Sequence, residues 1–182
     1  MSSPEPLYLG LDLSTQQLKC LAITSSLSVM HEEIVTFDND LPRYGTNKGV
    51  HTDSVLGEVT APVAMWIEAL DLVLSRMKKA GFEFGRVRGV SGAGQQHGSV
   101  FWSKGAEEVL GGLDSERELV EQLGGKGEVF TWGRSPNWQD HSTQAQCDAF
   151  ERCVGGEETL AAITGSKAHH VLIPFLPSSP PF

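Results

Sequence analysis

Two dense apolar runs with only a short polar break between them constrain this chain more than any other feature. Leu7-Tyr-Leu-Gly-Leu-Asp-Leu13 ends at Ser14 and Thr15, and Leu18-Lys-Cys-Leu-Ala-Ile-Thr24 resumes almost at once. Short apolar runs joined by turn-forming hydroxyl residues read as a β-hairpin. Ser28 to Phe37 adds a third β-rich stretch after a turn near Ser25 and Ser26, so consecutive strands open the chain.

The pattern then changes. Asp38 to Ser54 carries Gly, Pro, Asn and Asp at turn-forming density and reads as a loop with only short structure. From Glu58 to Lys79, apolar residues including Val63, Trp66, Leu70, Val73 and Met77 recur at three- and four-residue steps, which predicts a helix. Gly81, just after Lys78-Lys79, sits where a left-handed helix end needs it. Val87 to Ala93 reads as a buried strand and Ser99 to Trp102 as the next, joined by Gly94 to Gly98. Asp114 to Leu123 reads as a polar helix, Ser135-Pro136 as a breaker, and Asp140–Val154 and Glu157–Ile163 as helices. The order becomes strand, helix, strand, an α/β pattern with no internal repeat. Residues 1–6 are expected to be disordered. The last twelve residues, 171–182, hold four prolines and no charge, and predict an irregular tail.

A length of 182 residues suits one domain. No apolar stretch is long enough for a membrane helix, and 14 Lys+Arg against 23 Asp+Glu give a net charge of -9, which disfavours nucleic acid. Cys20, Cys147 and Cys153 show no metal or redox spacing and read as reduced thiols. The N-terminus resembles no secretion signal, so the cytoplasm is the expected compartment.

Three segments carry chemistry. Asp12-Leu-Ser-Thr-Gln-Gln-Leu-Lys19 sets a carboxylate at a strand end, hydroxyls and N–H groups in the turn, and a cation beyond it. That set suits a phosphate, with Asp12 a partner for Mg²⁺; an ordinary hairpin turn would use the same residue types. Gly92-Ala-Gly-Gln-Gln-His-Gly98 is no dinucleotide loop, because His97 replaces the third glycine and a strand follows. Its amides and imidazole suit sugar hydroxyls, the alternative being a plain turn with one satisfied histidine. Trp138-Gln-Asp-His141 offers a ring for a sugar face and Asp140 as an acceptor, or else a helix start with Asp140 or Ser142 capping and Trp138 packed inward. His169-His170 is read as no metal site, and neither a Gly-x-x-x-x-Gly-Lys-Ser/Thr loop nor Gly-x-Ser-x-Gly occurs.

Taken together, Leu9–Lys19, Asp40-Leu-Pro-Arg-Tyr-Gly-Thr46, Ser91–Ser99, Asn137–Thr143 and Gly155–Gly165 resemble, in order, the first domain of the FGGY carbohydrate kinases, and among them the eukaryotic-type xylulose kinases. The resemblance covers about Leu7 to His170. It implies a ribonuclease-H-like, actin-type ATPase N-terminal domain, incomplete here, over residues 7–170. ATP and Mg²⁺ would meet Asp12, Ser14, Thr15 and Lys19, with Asp12 nearest the metal. D-xylulose would meet Gln96, His97 and Asp140. The family has glycine where Ser14 stands, and Arg-Phe-Thr-Gly where Val171-Leu-Ile-Pro174 follows His170. Its catalytic aspartate lies in a second domain, so these residues alone are expected to be inactive. The alternatives are a non-catalytic sugar-binding or regulatory module, or a partly folded piece that exposes the surface a second domain covers.

Overall fold

The computed structural model describes residues 4–124 and 129–169. β1 (Leu7–Leu13) and β2 (Gln17–Thr24) form the hairpin, with Leu7 opposite Thr24 and Leu13 opposite Leu18, and β3 (Val29–Thr36) extends it. Every second residue of β2 is buried, from Leu18 through Cys20 and Ala22 to Thr24, so one face of the ribbon is apolar and must be covered. A short helix α1 (Phe37–Asp40) and a 3₁₀ turn at Pro42–Tyr44 lead to β4 (His51–Asp53) and β5 (Glu58–Pro62). Next comes α2 (Val63–Lys79), which supplies the cover. Its residues Met65, Ala69, Val73 and Met77, four apart, are each 0% exposed and pack with Leu9, Leu18, Val35 and Phe37. Full burial of Met65, Val73 and Met77 stabilises by about 1.5–3 kcal/mol apiece, and the small Ala69 lets the helix approach the sheet.

Gly81 ends α2 as the sequence predicts. At φ 81° its N–H donates to the Lys78 carbonyl, and the Phe82 N–H reaches back to Met77 O, both at 3.0 Å. β6 (Val87–Ala93) then runs parallel to β1, giving the mixed sheet order β3-β2-β1-β6. Farther on lie α3 (Ala106–Gly111), α4 (Leu119–Leu123), β7 (Arg134–Pro136), α5 (Gln144–Cys153) and α6 (Glu157–Thr164). β7 pairs with β5 in a second sheet ordered β4-β5-β7. A second apolar cluster of Val63, Ala106, Leu123, Val129 and Phe130 joins this half to α2. Asp71 on α2 caps α4 from outside that helix, accepting from Leu119 N at 3.0 Å and Val120 N at 2.8 Å.

Several expectations need correction. The helix predicted from Glu58 begins at Val63, because Glu58–Pro62 is a strand whose Val59 and Ala61 point inward and whose Pro62 cannot sit inside a helix. β6 is in place but not buried: among the described residues it pairs only with β1, and Val90 is 64% exposed. Ser99–Trp102 forms no strand, only a bridge from Trp102 to Phe130. The polar helix is reduced to α4, with Asp114 and Arg117 in a turn before it, and α3 was not anticipated. Ser135-Pro136 is strand rather than breaker, since proline at a strand end loses no ladder bond that the sheet needs. α5 starts at Gln144, four residues after Asp140, because Asp140 is buried and bonded elsewhere.

Of the predicted disordered start, residues 1–3 lie outside the described residues, and the Glu5 carbonyl accepts from Arg86 Nε at 3.0 Å. The Pro-rich tail, 171–182, and His170 also lie outside them. Cys20, Cys147 and Cys153 are all free thiols. Among the described residues no helix is long and apolar enough to cross a membrane.

Candidate functional site

Because β1 and β6 run parallel, their carboxyl ends lie side by side, with Asp12 opposite Ala93. The segments that leave those ends must therefore meet, which is where α/β sheets collect ligands. Asp12, Ser14 and Thr15 from one turn and Gly94, Gln95 and Gln96 from the other line a single open cleft of about 300 Å³, with Trp138 on its rim. Trp138 is 52% exposed, so its ring is turned to the cleft and not into the core.

Ser14 shapes the turn. Its N–H and its hydroxyl both donate to the Gln17 carbonyl, at 3.0 and 3.1 Å. Ser14 is not among the residues at positive φ, so a serine here brings no backbone strain. The Thr15 hydroxyl has no protein partner among the described residues and faces the cleft. Gln95 ties the two walls together: its Nε2 donates to the Ser14 carbonyl at 3.1 Å, while its Oε1 is buried without a hydrogen-bond partner. A buried acceptor left unmatched by protein groups is ordinarily met by an ordered water.

The other expected residues lie apart from this wall. Lys19 is the cross-strand neighbour of Asp12, but its Nζ stands 3.8 Å from Glu32 Oε2 and does not line the cleft. His97 is exposed, in the turn closed by Gly98 N to Gln95 O at 3.4 Å, and holds φ 61°, a left-handed geometry unusual for a residue with a side chain. Asp140 faces a separate, smaller cleft beside Glu58, Thr60 and Arg134. It is 5% exposed: Oδ2 accepts from Val59 N at 2.8 Å, and Oδ1 from the Ser142 hydroxyl at 2.7 Å. In this structure Asp140 joins β5 to the segment before α5, and its N–H donates to the carbonyl of the buried Asn137 at 3.0 Å.

What the sequence hid is the support under the turn. The stretch read as a loop, Asp38 to Ser54, is a scaffold. Asp40 accepts from Arg76 on α2 and from Thr36 N, both at 2.6 Å. Burial raises its pKa, but those bonds and the Arg76 charge outweigh that and leave it below the usual range. Tyr44 donates to Glu68 Oε2 at 2.6 Å, and its hydroxyl is pushed up to about 12, first by burial and then by that carboxylate. Asp38 organises residues 46–49, which press on Thr15. No spacing rule marks the ties from Asp40 to Arg76 and from Tyr44 to Glu68, since they join this stretch to a helix 36 and 24 positions away.

Asp12 is an exposed carboxylate at the cleft mouth. Among the described residues no three His, Cys, Asp or Glu side chains gather to hold a metal ion. A lone carboxylate suits Mg²⁺ only when phosphate oxygens and water complete the shell.

No family model matches the chain. It is 54% identical over 171 residues, 94% of its length, to a protein named probable D-xylulose kinase A from Arthroderma otae, and 55% identical over 170 residues to one of that name from Aspergillus clavatus. It spans about 30% of the length of these relatives. Among solved structures it resembles a Brucella ovis "xyloylose kinase" at TM-score 0.60 and 20% identity, covering 91% of this chain and 27% of that one. Plasmodium falciparum glycerol kinase with ADP matches at TM-score 0.56 and 12% identity, covering 93% and 28%. In sequence the chain is therefore similar to D-xylulose kinases, as its motifs imply, and in fold to the actin-like carbohydrate kinases.

Proposed function

We propose that these residues build one wall of the active-site cleft of an ATP-dependent D-xylulose kinase, as one domain over residues 7–170. The observation that carries this reading is the meeting of the two polar turns in one cleft, in a chain 54% identical to D-xylulose kinases. The turn offers the Thr15 and Gln16 N–H groups and the Thr15 hydroxyl to phosphate oxygens, while the Ser14 N–H closes the turn on Gln17 O, and Lys19 adds positive charge behind Asp12. Asp12 would hold Mg²⁺, which when bound shares and neutralises phosphate charge. Gln96 and His97 present the amide and imidazole for the sugar, Trp138 a ring for its apolar face, and Asp140 fixes the segment that carries Trp138.

In the reaction, the primary hydroxyl oxygen of D-xylulose forms a bond to the γ-phosphorus of ATP as the bond to the bridging oxygen of ADP breaks. The hydroxyl proton passes to a base that the resemblance puts in a second domain. Alignment and charge supply most of the acceleration in such a step, so one wall alone is expected to bind without turning over. The second reading, a non-catalytic sugar-binding module, shares the cleft and differs in having no competent partner domain.

The test is to follow the amide resonances of the 182-residue chain with ATP and Mg²⁺ or with D-xylulose, beside ADP release. Expected are shifts at Ser14–Gln17 with ATP and at Gln95–Gly98 with the sugar, and no ADP above the blank. Xylulose-dependent release abolished by His97→Ala would mean that this chain completes a site unaided. Resonances indifferent to both ligands would sink the reading.

A further inference from the structure

We infer that Asp38 is a positioning residue: acting through the 46–49 loop, it holds the Ser14–Thr15 turn in the shape that receives phosphate. The inference rests on the nucleotide reading above, and it concerns a residue about twenty positions away from the turn it serves.

Asp38 reaches the loop with both oxygens. Oδ1 accepts from the Thr46 hydroxyl at 2.7 Å and from Gly49 N at 3.0 Å, and Oδ2 from Lys48 N at 2.6 Å. Three donors on one carboxylate fold the loop back on itself, with Lys48 at φ 54° and Gly49 at φ 80°. The fold-back delivers Gly49 against the hairpin turn. A Cβ on Gly49 would collide with the Thr15 carbonyl oxygen and approach Gln16 Cα to 3.2 Å, so nothing larger than glycine lets the two backbones lie this close.

A second tie makes the arrangement a brace. Phe37, the residue before Asp38, is fully buried in the main core, and its N–H donates to the Gln16 carbonyl at 3.0 Å. The turn is thus gripped at Gln16 by Phe37 and at Thr15 by the loop that Asp38 ties down. Gln95 bonds the Ser14 carbonyl from the opposite side. A turn that donates N–H groups to a phosphate must keep them convergent before the ligand arrives, since preorganised donors cost no rearrangement. The brace does that for the backbone of Ser14–Gln17 without touching the ligand.

The experiment compares backbone amide exchange and ATP titration, with Mg²⁺ present, for the 182-residue chain and its Asp38→Asn, Gly49→Ala and Thr46→Ser variants. In Asp38→Asn the side-chain amide keeps the shape of the carboxylate but replaces one acceptor oxygen with a donor, so one of the loop's donors goes unmet. Exchange at the two bonded amides of the braced turn, Ser14 to Gln17 O and Phe37 to Gln16 O, is expected to speed roughly tenfold or more in Asp38→Asn and Gly49→Ala, while Val73 in the core of α2 stays near wild type. ATP affinity falls by a similar factor, and Thr46→Ser, which keeps its hydroxyl, behaves as wild type. Unchanged exchange at the turn overturns the inference, as does a uniform rise that includes Val73, the mark of a merely stabilising residue. Should Gly49→Ala fail to fold, Asp38→Asn alone decides. A wild-type turn that ignores ATP defeats the nucleotide reading and the positioning role with it; the exchange ratios show whether the brace itself exists.

Discussion

Asp38 also ties the brace to pH. Burial raises its pKa, but the bonds from Thr46, Gly49 and Lys48 together outweigh that and hold it below the usual carboxylate range. A carboxyl depressed in the folded state contributes stability that is whole above its unfolded value, about 3.9, and is lost as pH falls through the lower folded value. Asp38→Asn therefore narrows its stability gap to wild type as urea melts are stepped from neutral pH to below about pH 4. A gap constant across that range would mean the carboxylate charge is not what the loop recognises. His97 makes a different test. Its left-handed φ of 61° costs about 1–2 kcal/mol for a residue with a Cβ, so His97→Gly should melt later than His97→Ala by roughly 1 kcal/mol, though both remove the imidazole. Equal melts would show that the turn relaxes. That Asp12, Thr15, Gln96 and Trp138 would share one cleft followed from the turns of the sequence that hold them, and the fold brings them together there. Asp140 reads from its neighbours either as a sugar acceptor or as a helix cap, and its oxygens meet Val59 N and Ser142. The bond to Val59 spans 81 positions, and no local pattern encodes it.

Among the elements, the strands of the hairpin and the body of α2 could be read because their periods of two and of three to four are written in adjacent residues. The start of α2 could not be placed by period alone, since Val59 and Val63 stand four apart and fit a helical stripe as well as a strand followed by a helix. Proline is the arbiter there: Pro62 closes β5 and precedes the first helical residue. β7 was hidden for the opposite reason. Three residues, Arg134–Pro136, are too few to show a period and become a strand only because β5 offers them an edge. If α2 is the element that closes the main core, truncating its buried stripe should be costly. Met77→Ala is expected to lose about 2–5 kcal/mol in a denaturant melt, with the change in midpoint and not in slope. Leu74→Ala, on a partly exposed face of the same helix, should lose clearly less. Similar losses at the two positions would mean that the helix is held by its propensity and not by the sheet beneath it.

At the scale of the whole molecule, the sheet has two ends, β3 and β6, and neither is covered by another strand among the described residues. β6 is the more exposed, with Val90 at 64%, on a strand otherwise rich in small residues that leave its backbone open. Val90 lies opposite Leu9, a 6% exposed core residue, and so on the core side of the sheet, beyond the reach of α2. An open edge with an apolar side chain is a template for pairing with another chain, and charge on such an edge discourages it. The 182-residue chain alone is therefore expected to self-associate as its concentration rises, in sedimentation velocity at moderate salt. Val90→Lys should shift that equilibrium toward monomer without lowering the melting midpoint, since the side chain it replaces packs little. Loss of association together with an unchanged melt would locate the contact at the β6 edge. Persistent association would direct attention instead to Leu27, Val29 and Met30 at the far end of β2 and β3, each more than half exposed. Because the carboxyl end of β6 is also where Gln95 and Gln96 leave the sheet, pairing along that edge should slow amide exchange toward the cleft, a second readout that Val90→Lys would reverse.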